Sequence, residues 1–250
     1  MKIKFLGTSH GVPMPGRHYQ SILIETEKDS YIIDAGAPVM DILINDGYDL
    51  NKIKAIFVTH MHSDHINGIP DMICLASWYY TDMNFRVFLP EQRGIDAIRD
   101  FCAVRLCSEY KKDQSAVKRI TYHLFKEGLV YDDGNVKITS FHTDHMYVTT
   151  DIAYGFLIES EGKKVYVTGD MHATLKDFNE LLYTEKVDFL ITECAHFEPE
   201  LLCSKLKKCK AGKIAAVHVF PLRRYDELKK LEKELNLNMV YPKDLDEYEI

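Results

Sequence analysis

The 250 residues are 46% hydrophobic, 11% aromatic and 28% charged, with only 13 Gly and 8 Pro, a balance that excludes general disorder and low-complexity structure. A chain of this length buries roughly 70% or more of the surface its unfolded form exposes, so a sizeable core is expected. The formal charge of −7 repels polyanions and argues against nucleic acid as a partner, although bound divalent metals would add positive charge outside this count.

In chain order, β-branched and apolar runs predict strands at Lys2 to Leu6, Ser21 to Glu25, Tyr31 to Asp34 and Ala55 to Thr59. Mixed three and four spacing predicts helices from Ile66 to Tyr80 and from Gln92 to Tyr110. Strands return at about Ile120 to Phe125, Val136 to Phe141, Ala153 to Glu159 and Lys164 to Thr168. The last third alternates: helix Leu175 to Tyr183, strand Phe189 to Thr192, helix Glu198 to Cys209, strand Ile214 to Val219, helix Tyr225 to Leu235. Strands first and helices after, then again, describe a layered α/β protein with facing sheets and helices on the outsides. No Pro/Gly/Ser linker divides it, so residues 1–250 are expected to form one domain, with about 82–119 as an inserted helical flap carrying substrate contacts.

No apolar run approaches the ~20 residues of a membrane span, and the start lacks a cleavable signal pattern; a soluble cytoplasmic protein with no membrane partner is expected. Cys74, Cys102, Cys107, Cys194, Cys203 and Cys209 contain no C-x-x-C pair and read as reduced thiols.

The strand-like run Ala55-Ile56-Phe57-Val58-Thr59 ends directly in His60-Met61-His62-Ser63-Asp64-His65, crowding three imidazoles and a carboxylate into six residues. Alternation in an extended loop sends His60 and His62 to one side, where two neutral imidazoles can hold one ion, while Asp64 and His65 turn toward a second position. Two neighbouring metal sites need more donors than four side chains supply. Other strand ends offer them: His142 to His145 after Ile138-Thr139-Ser140-Phe141, Gly169-Asp170 after Lys164 to Thr168, and His218 after Ala215-Ala216-Val217.

The motif T-H-x-H-x-D-H at Thr59 to His65, with the later strand-end His, Gly-Asp and final His, resembles the metallo-β-lactamase fold hydrolases. Phe5-Leu6-Gly7-Thr8-Ser9-His10-Gly11-Val12-Pro13 and Tyr31-Ile32-Ile33-Asp34-Ala35-Gly36 resemble the first strands of that family's phosphodiesterase and tRNase Z branches. The resemblance covers nearly the whole chain and implies an α/β, four-layer αββα sandwich of two facing mixed sheets. It further implies that His60, His62 and His145 hold one divalent metal and Asp64, His65 and His218 a second, with Asp170 bridging both and a hydroxide completing the bridge. Zinc is the default ion, and manganese or iron suits the same donors. His142 competes with His145, which is favoured because it lies in the turn beyond the strand.

By the same resemblance Glu193 and His196 assist proton transfer to the leaving oxygen, His196 supplying the proton and Glu193 orienting it; the alternative is that both simply face solvent as polar side chains. Asp34 maps onto a carboxylate that supports the ligands and equally suits capping of its own turn. His10 and His172 lie beside site loops as candidate substrate contacts. Arg223 and Arg224 resemble, loosely, basic residues that meet phosphate in the tRNA endonucleases, and Lys205 to Lys210 reads as a solvated helix face. The reading is a dinuclear hydrolase acting on a small or cyclic phosphodiester, with a lactone, thioester or β-lactam hydrolase or an idle metal-binding protein as alternatives. A small molecule is the expected partner, and a homodimer is a common state for such a chain.

Overall fold

The computed structural model describes residues 1–105 and 119–250, within which the strands form two seven-stranded sheets. In the first, β1 (Lys2–Gly7), β2 (Ser21–Glu25) and β3 (Ser30–Ala35) form an antiparallel meander. Strands β4 (Ile53–Phe57), β5 (Phe85–Leu89) and β6 (Ile120–Leu124) extend it in parallel from β3. In the second, β7 (Gly128–Asp132), β8 (Lys137–His142), β9 (Tyr154–Ser160) and β10 (Lys163–Val167) are antiparallel neighbours. Parallel strands β11 (Val187–Cys194), β12 (Ala211–Val219) and β13 (Met239–Val240) follow, and β14 (Glu247–Glu249) returns to pair with β1.

The side-chain period of two sorts the apolar runs into layers. Ile22, Ile24, Tyr31, Ile33, Ala55 and Phe57 face the second sheet, where Phe156, Ile158, Val165, Val167, Phe189 and Ile191 meet them. Leu23, Ile32 and Ile56 point the other way, beneath α1 (Val39–Asn45), α2 (Ser63–Ile66), α3 (Ile69–Trp78) and α4 (Gln92–Arg105). Behind the second sheet, Leu157, Leu190 and Ala216 are covered by α5 (Leu181–Thr184), α6 (Pro199–Leu206) and α7 (Arg224–Leu235). Strands buried on both faces read as continuous apolar runs. The result is an αββα sandwich of two mixed sheets.

Three expectations change. The helix expected over Ile66 to Tyr80 is broken at Gly68, whose amide donates to Ala35 O and whose Cβ, if present, would stand 2.2 Å from Ala37 O. Phe85–Leu89, inside the stretch read as a flap, is an interior strand of the first sheet, and helix begins only at Gln92. Residues 106–118 of that stretch, Cys107 among them, lie outside the described residues. The helix expected over Leu175 to Tyr183 is reduced to Leu181–Thr184, because Asp177 Oδ2 accepts from the amides of Asp144 and His172 and Leu175 adopts φ 51°, which together fold the segment into turns. Cys194, Cys203 and Cys209 form no disulfide, and among the described residues no helix is long and apolar enough to cross a membrane.

Candidate metal centre

Asp34 sits where β3 ends, at φ 57°, a left-handed conformation that a non-glycine residue adopts only under local constraint. Its carboxylate accepts from the Thr59 amide at 2.8 Å, from the Thr59 hydroxyl at 2.9 Å and from His65 Nδ1 at 2.7 Å. Of the two roles open to it, Asp34 therefore supports the His motif. Thr59 has a single hydroxyl proton, donated to Asp34, so its oxygen accepts from His60 Nδ1 at 3.0 Å. Both rings are thus held in the tautomer whose Nε2 lone pair faces the site. Gly36 permits the arrangement, since a Cβ there would fall 1.7 Å from the Asp64 carbonyl oxygen. Gly169, at φ 60°, lets the turn before Asp170 come within 2.4 Å, measured to an added Cβ, of Tyr154 O.

The structure gathers the seven candidate ligands into two groups that share Asp170. His60 Nε2 lies 2.9 Å from His62 Nδ1, which lies 3.3 Å from His145 Nε2, and Asp170 Oδ2 is 3.7 Å from both Nε2 atoms. On the other side, Asp64 Oδ2 is 3.1 Å from His218 Nε2 and 3.5 Å from His65 Nε2, and Asp170 Oδ2 is 3.6 Å from the same His65 atom. Donors ~2.1 Å from one tetrahedral ion stand about 3.4 Å apart. Separations of 3.5 to 3.7 Å, too long for hydrogen bonds, suit the edges of coordination shells. His65 Nε2 is buried with no hydrogen-bond partner, which a lone pair aimed at a cation explains. The donors fit divalent metal ions, with His60, His62 and His145 gathered on one side of Asp170 and Asp64, His65 and His218 on the other.

His142 does not join them. It ends β8 with Nε2 3.0 Å from Asp151 O and Nδ1 3.5 Å from Asp144, which in turn pairs with Lys176 at 2.7 Å.

Electrostatics prepare the His60, His62 and His145 group for a metal. Burial pushes His60, His62 and His145 below the ordinary imidazole value, keeping them neutral with lone pairs available. Burial also opposes charge on His65, but Asp34 and Asp170 outweigh it and raise its pKa, so an ion bound there would displace the proton from Nε2. Asp170 stays ionised despite burial because His218 and His65 face it.

At the rim, Glu193 is fully engaged: it accepts from the amides of Met171, Ala195 and His196 and holds His196 Nδ1 at 2.9 Å. Burial would lower His196, and Glu193 reverses this, raising its pKa to about 9. The His196 ring packs 4.4 Å from the His145 ring, within the candidate centre. His10 stacks on Phe220 at 4.9 Å and meets the His218 ring edge at 4.8 Å, so it borders the centre. His172 instead bonds Thr174 and packs on Tyr147.

Arg224 is not a free phosphate contact. It is buried, donates to Ala195 O at 2.6 Å and Phe220 O at 2.8 Å, and pairs with Glu198, so it clasps the His196 loop to the loop after His218. Only Arg223 is exposed, beside Glu227. Arg224→Met should lower unfolding free energy by about 2–4 kcal/mol in urea titrations, since buried carbonyls lose their donor; an unchanged midpoint would show that the clasp carries no weight. Sequence offers no signal for this inward arginine, whereas Thr59 at least stands inside the motif it organises.

Two facing mixed sheets with His and Asp gathered at their shared edge define a protein of the metallo-β-lactamase fold. The solved structures agree: YhfI of Bacillus subtilis, a metallo-β-lactamase fold protein, superposes with TM-score 0.76 at 20% identity over 99% of each chain. Human tRNase Z, short form, does so with TM-score 0.73 at 19% identity, over 100% of this chain and 99% of that one. Within that fold, the chain belongs to the anti-Pycsar protein Apyc1 family, whose model matches residues 1–211. Among curated proteins it is similar to ribonuclease BN of Citrobacter koseri, 28% identical over 169 residues, or 65% of this chain and 51% of the relative. The chain spans about half the length of the curated relatives it matches.

Proposed function

We propose that the chain is a dinuclear metal-dependent hydrolase of a small or cyclic phosphodiester. The carrying observation is that Asp170 Oδ2 lies 3.6 to 3.7 Å from ring nitrogens of both donor groups, beside His196, whose Nδ1 is held by Glu193 at 2.9 Å. Divalent ions on these residues, zinc by default, would lower the pKa of bound water and stabilise charge on phosphoryl oxygens. The chain's own groups do the rest. His60, His62 and His145 on one side and Asp64, His65 and His218 on the other fix the centre, with Asp34 and Thr59 keeping two rings aligned. Glu193 holds His196 Nδ1, leaving Nε2 to deliver a proton to the departing oxygen.

Several facts support a phosphodiester. The family is described as anti-Pycsar, and ribonuclease BN and tRNase Z are named for RNA, a phosphodiester polymer. The net charge of −7 favours a small substrate over RNA, and Cys194, Cys203 and Cys209, which form no disulfide, suit a cytoplasmic setting. Metal analysis of the purified chain, paired with hydrolysis of bis-p-nitrophenyl phosphate and Asp64→Ala as control, tests the reading. Two ions per chain and turnover lost in the variant are expected. Two ions without turnover would move the reaction to lactones, thioesters or β-lactams; no ion at all would overturn it.

A further inference from the structure

Three imidazoles of the centre are almost wholly buried: His60 at 0%, His65 at 1% and His218 at 2% exposure. A ligating imidazole keeps its orientation when its second nitrogen donates to a fixed acceptor. His60 Nδ1 has the Thr59 hydroxyl and His65 Nδ1 has Asp34. His218 is different. Its Nε2 faces Asp64 at 3.1 Å, its backbone amide donates to Thr8 O, and its φ of 51° places the residue in a strained left-handed conformation. Its Nδ1 is buried with no hydrogen-bond partner, the Asp170 Oδ1 atom standing 3.6 Å away, too far for a hydrogen bond.

A second buried polar atom without a partner lies nearby. Gln20, 5% exposed, leads into β2, where its backbone carbonyl accepts from Gly36, and its Oε1 is unpaired. Gln20 and His218 line the same small cavity, whose walls also include His65, Asp170 and Glu193 of the centre and which leaves about 10 Å³ open to the centre of a water molecule. That is room for one water, and a buried water needs two to four polar partners. Thr168 and Thr192 also line the space; their hydroxyls donate to the Gly169 and Glu193 carbonyls, so their oxygens have lone pairs left to accept.

We propose that Gln20 is a positioning residue for His218: through one buried water, its side-chain carbonyl accepts the proton of His218 Nδ1 and aims Nε2 at the ion shared with Asp64 and His65. The water accepts from His218 Nδ1 and donates to Gln20 Oε1 and to a threonine hydroxyl. Two orphaned polar groups are satisfied at once, and the third buried ring gains the support that Thr59 and Asp34 give the other two. The inference rests on the metal-hydrolase reading and extends it to a residue outside the His and Asp motifs.

Zinc binding to the full chain, followed by competition with a chromophoric chelator, tests this without reference to turnover. Wild type should load in two steps, one of which Asp64→Ala removes. Gln20→Leu should weaken that same step about 10–100-fold, the usual loss when a ligand's outer partner is removed, and leave the other step unchanged. Gln20→Glu, which keeps an acceptor in place, should restore it, and the cobalt(II) visible spectrum should follow the same order. The proposal is overturned if Gln20→Leu binds as wild type does, if Gln20→Glu is as weak as Gln20→Leu, or if both steps weaken alike with a lower melting temperature. A wild-type chain that binds no zinc would instead overturn the metal-hydrolase reading beneath it.

Discussion

Asp170→Asn is expected to strip both ions and abolish hydrolysis. Its Oδ2 stands 3.6 to 3.7 Å from His60, His65 and His145, so one carboxylate oxygen serves both donor groups. Removing its charge leaves each ion with neutral rings and, on one side, only Asp64. Loss of a partner one step away from a ligand already costs about 10–100-fold in affinity, and loss of a shared charged ligand should cost each ion at least that much. Turnover should drop on the order of 10³-fold or more, since several kcal/mol of transition-state charge stabilisation go with the ions. Metal content per chain and initial rates on the same preparation give the answer. Retention of two ions with near-normal rates would remove Asp170 from the centre.

The second large effect belongs to His196, and its size should depend on the leaving group. His196→Ala removes a ring that Glu193 holds by Nδ1 and keeps protonated, with a pKa of about 9. General-acid help is worth roughly 10²–10⁴-fold where the departing oxygen is a strong base. A ribose-like leaving group should therefore slow by that amount, while p-nitrophenolate, which leaves without a proton, should slow much less. Equal losses on both substrates would make His196 a structural neighbour. Glu193→Gln should fall between, because it retains much of the loop's shape but gives up the charge that keeps the ring protonated.

Legibility followed local physics. Ile32, Ile56, Leu190 and Ala216 sit in runs that are apolar on both faces, so the strands carrying them could be read directly, and the layering followed from their order. His60 to His65 stood out because four metal-competent side chains close to a buried strand have little to do in a core. Phe85–Leu89 was lost between two helical patterns, since five residues leave too short a period to separate strand from helix. Helix α1 had the same fault, with seven residues and no side-chain cap. Glu247–Glu249 alternates charge with one tyrosine and owes its strand state to β1, which a local reading cannot see. Around the centre, Gln20 and Arg224 act through buried partners far away in the chain, and their roles exist only once the sheets have met.

Neither sheet owns the centre. His60, His62, Asp64 and His65 follow strand β4 of one layer, while His145 and Asp170 follow strands of the other and His218 lies at the end of its β12. Asp64 and His218, 154 positions apart, face each other at 3.1 Å. Ions shared across that seam would fasten the two layers much as a disulfide fastens a secreted domain, closing a very long loop by a bond that a chelator can open. In the chain-entropy account, a link over so many residues removes about 5 kcal/mol of freedom from the unfolded state. The reactive edge of the sandwich would thus double as its removable staple, in a chain whose Cys194, Cys203 and Cys209 form no disulfide.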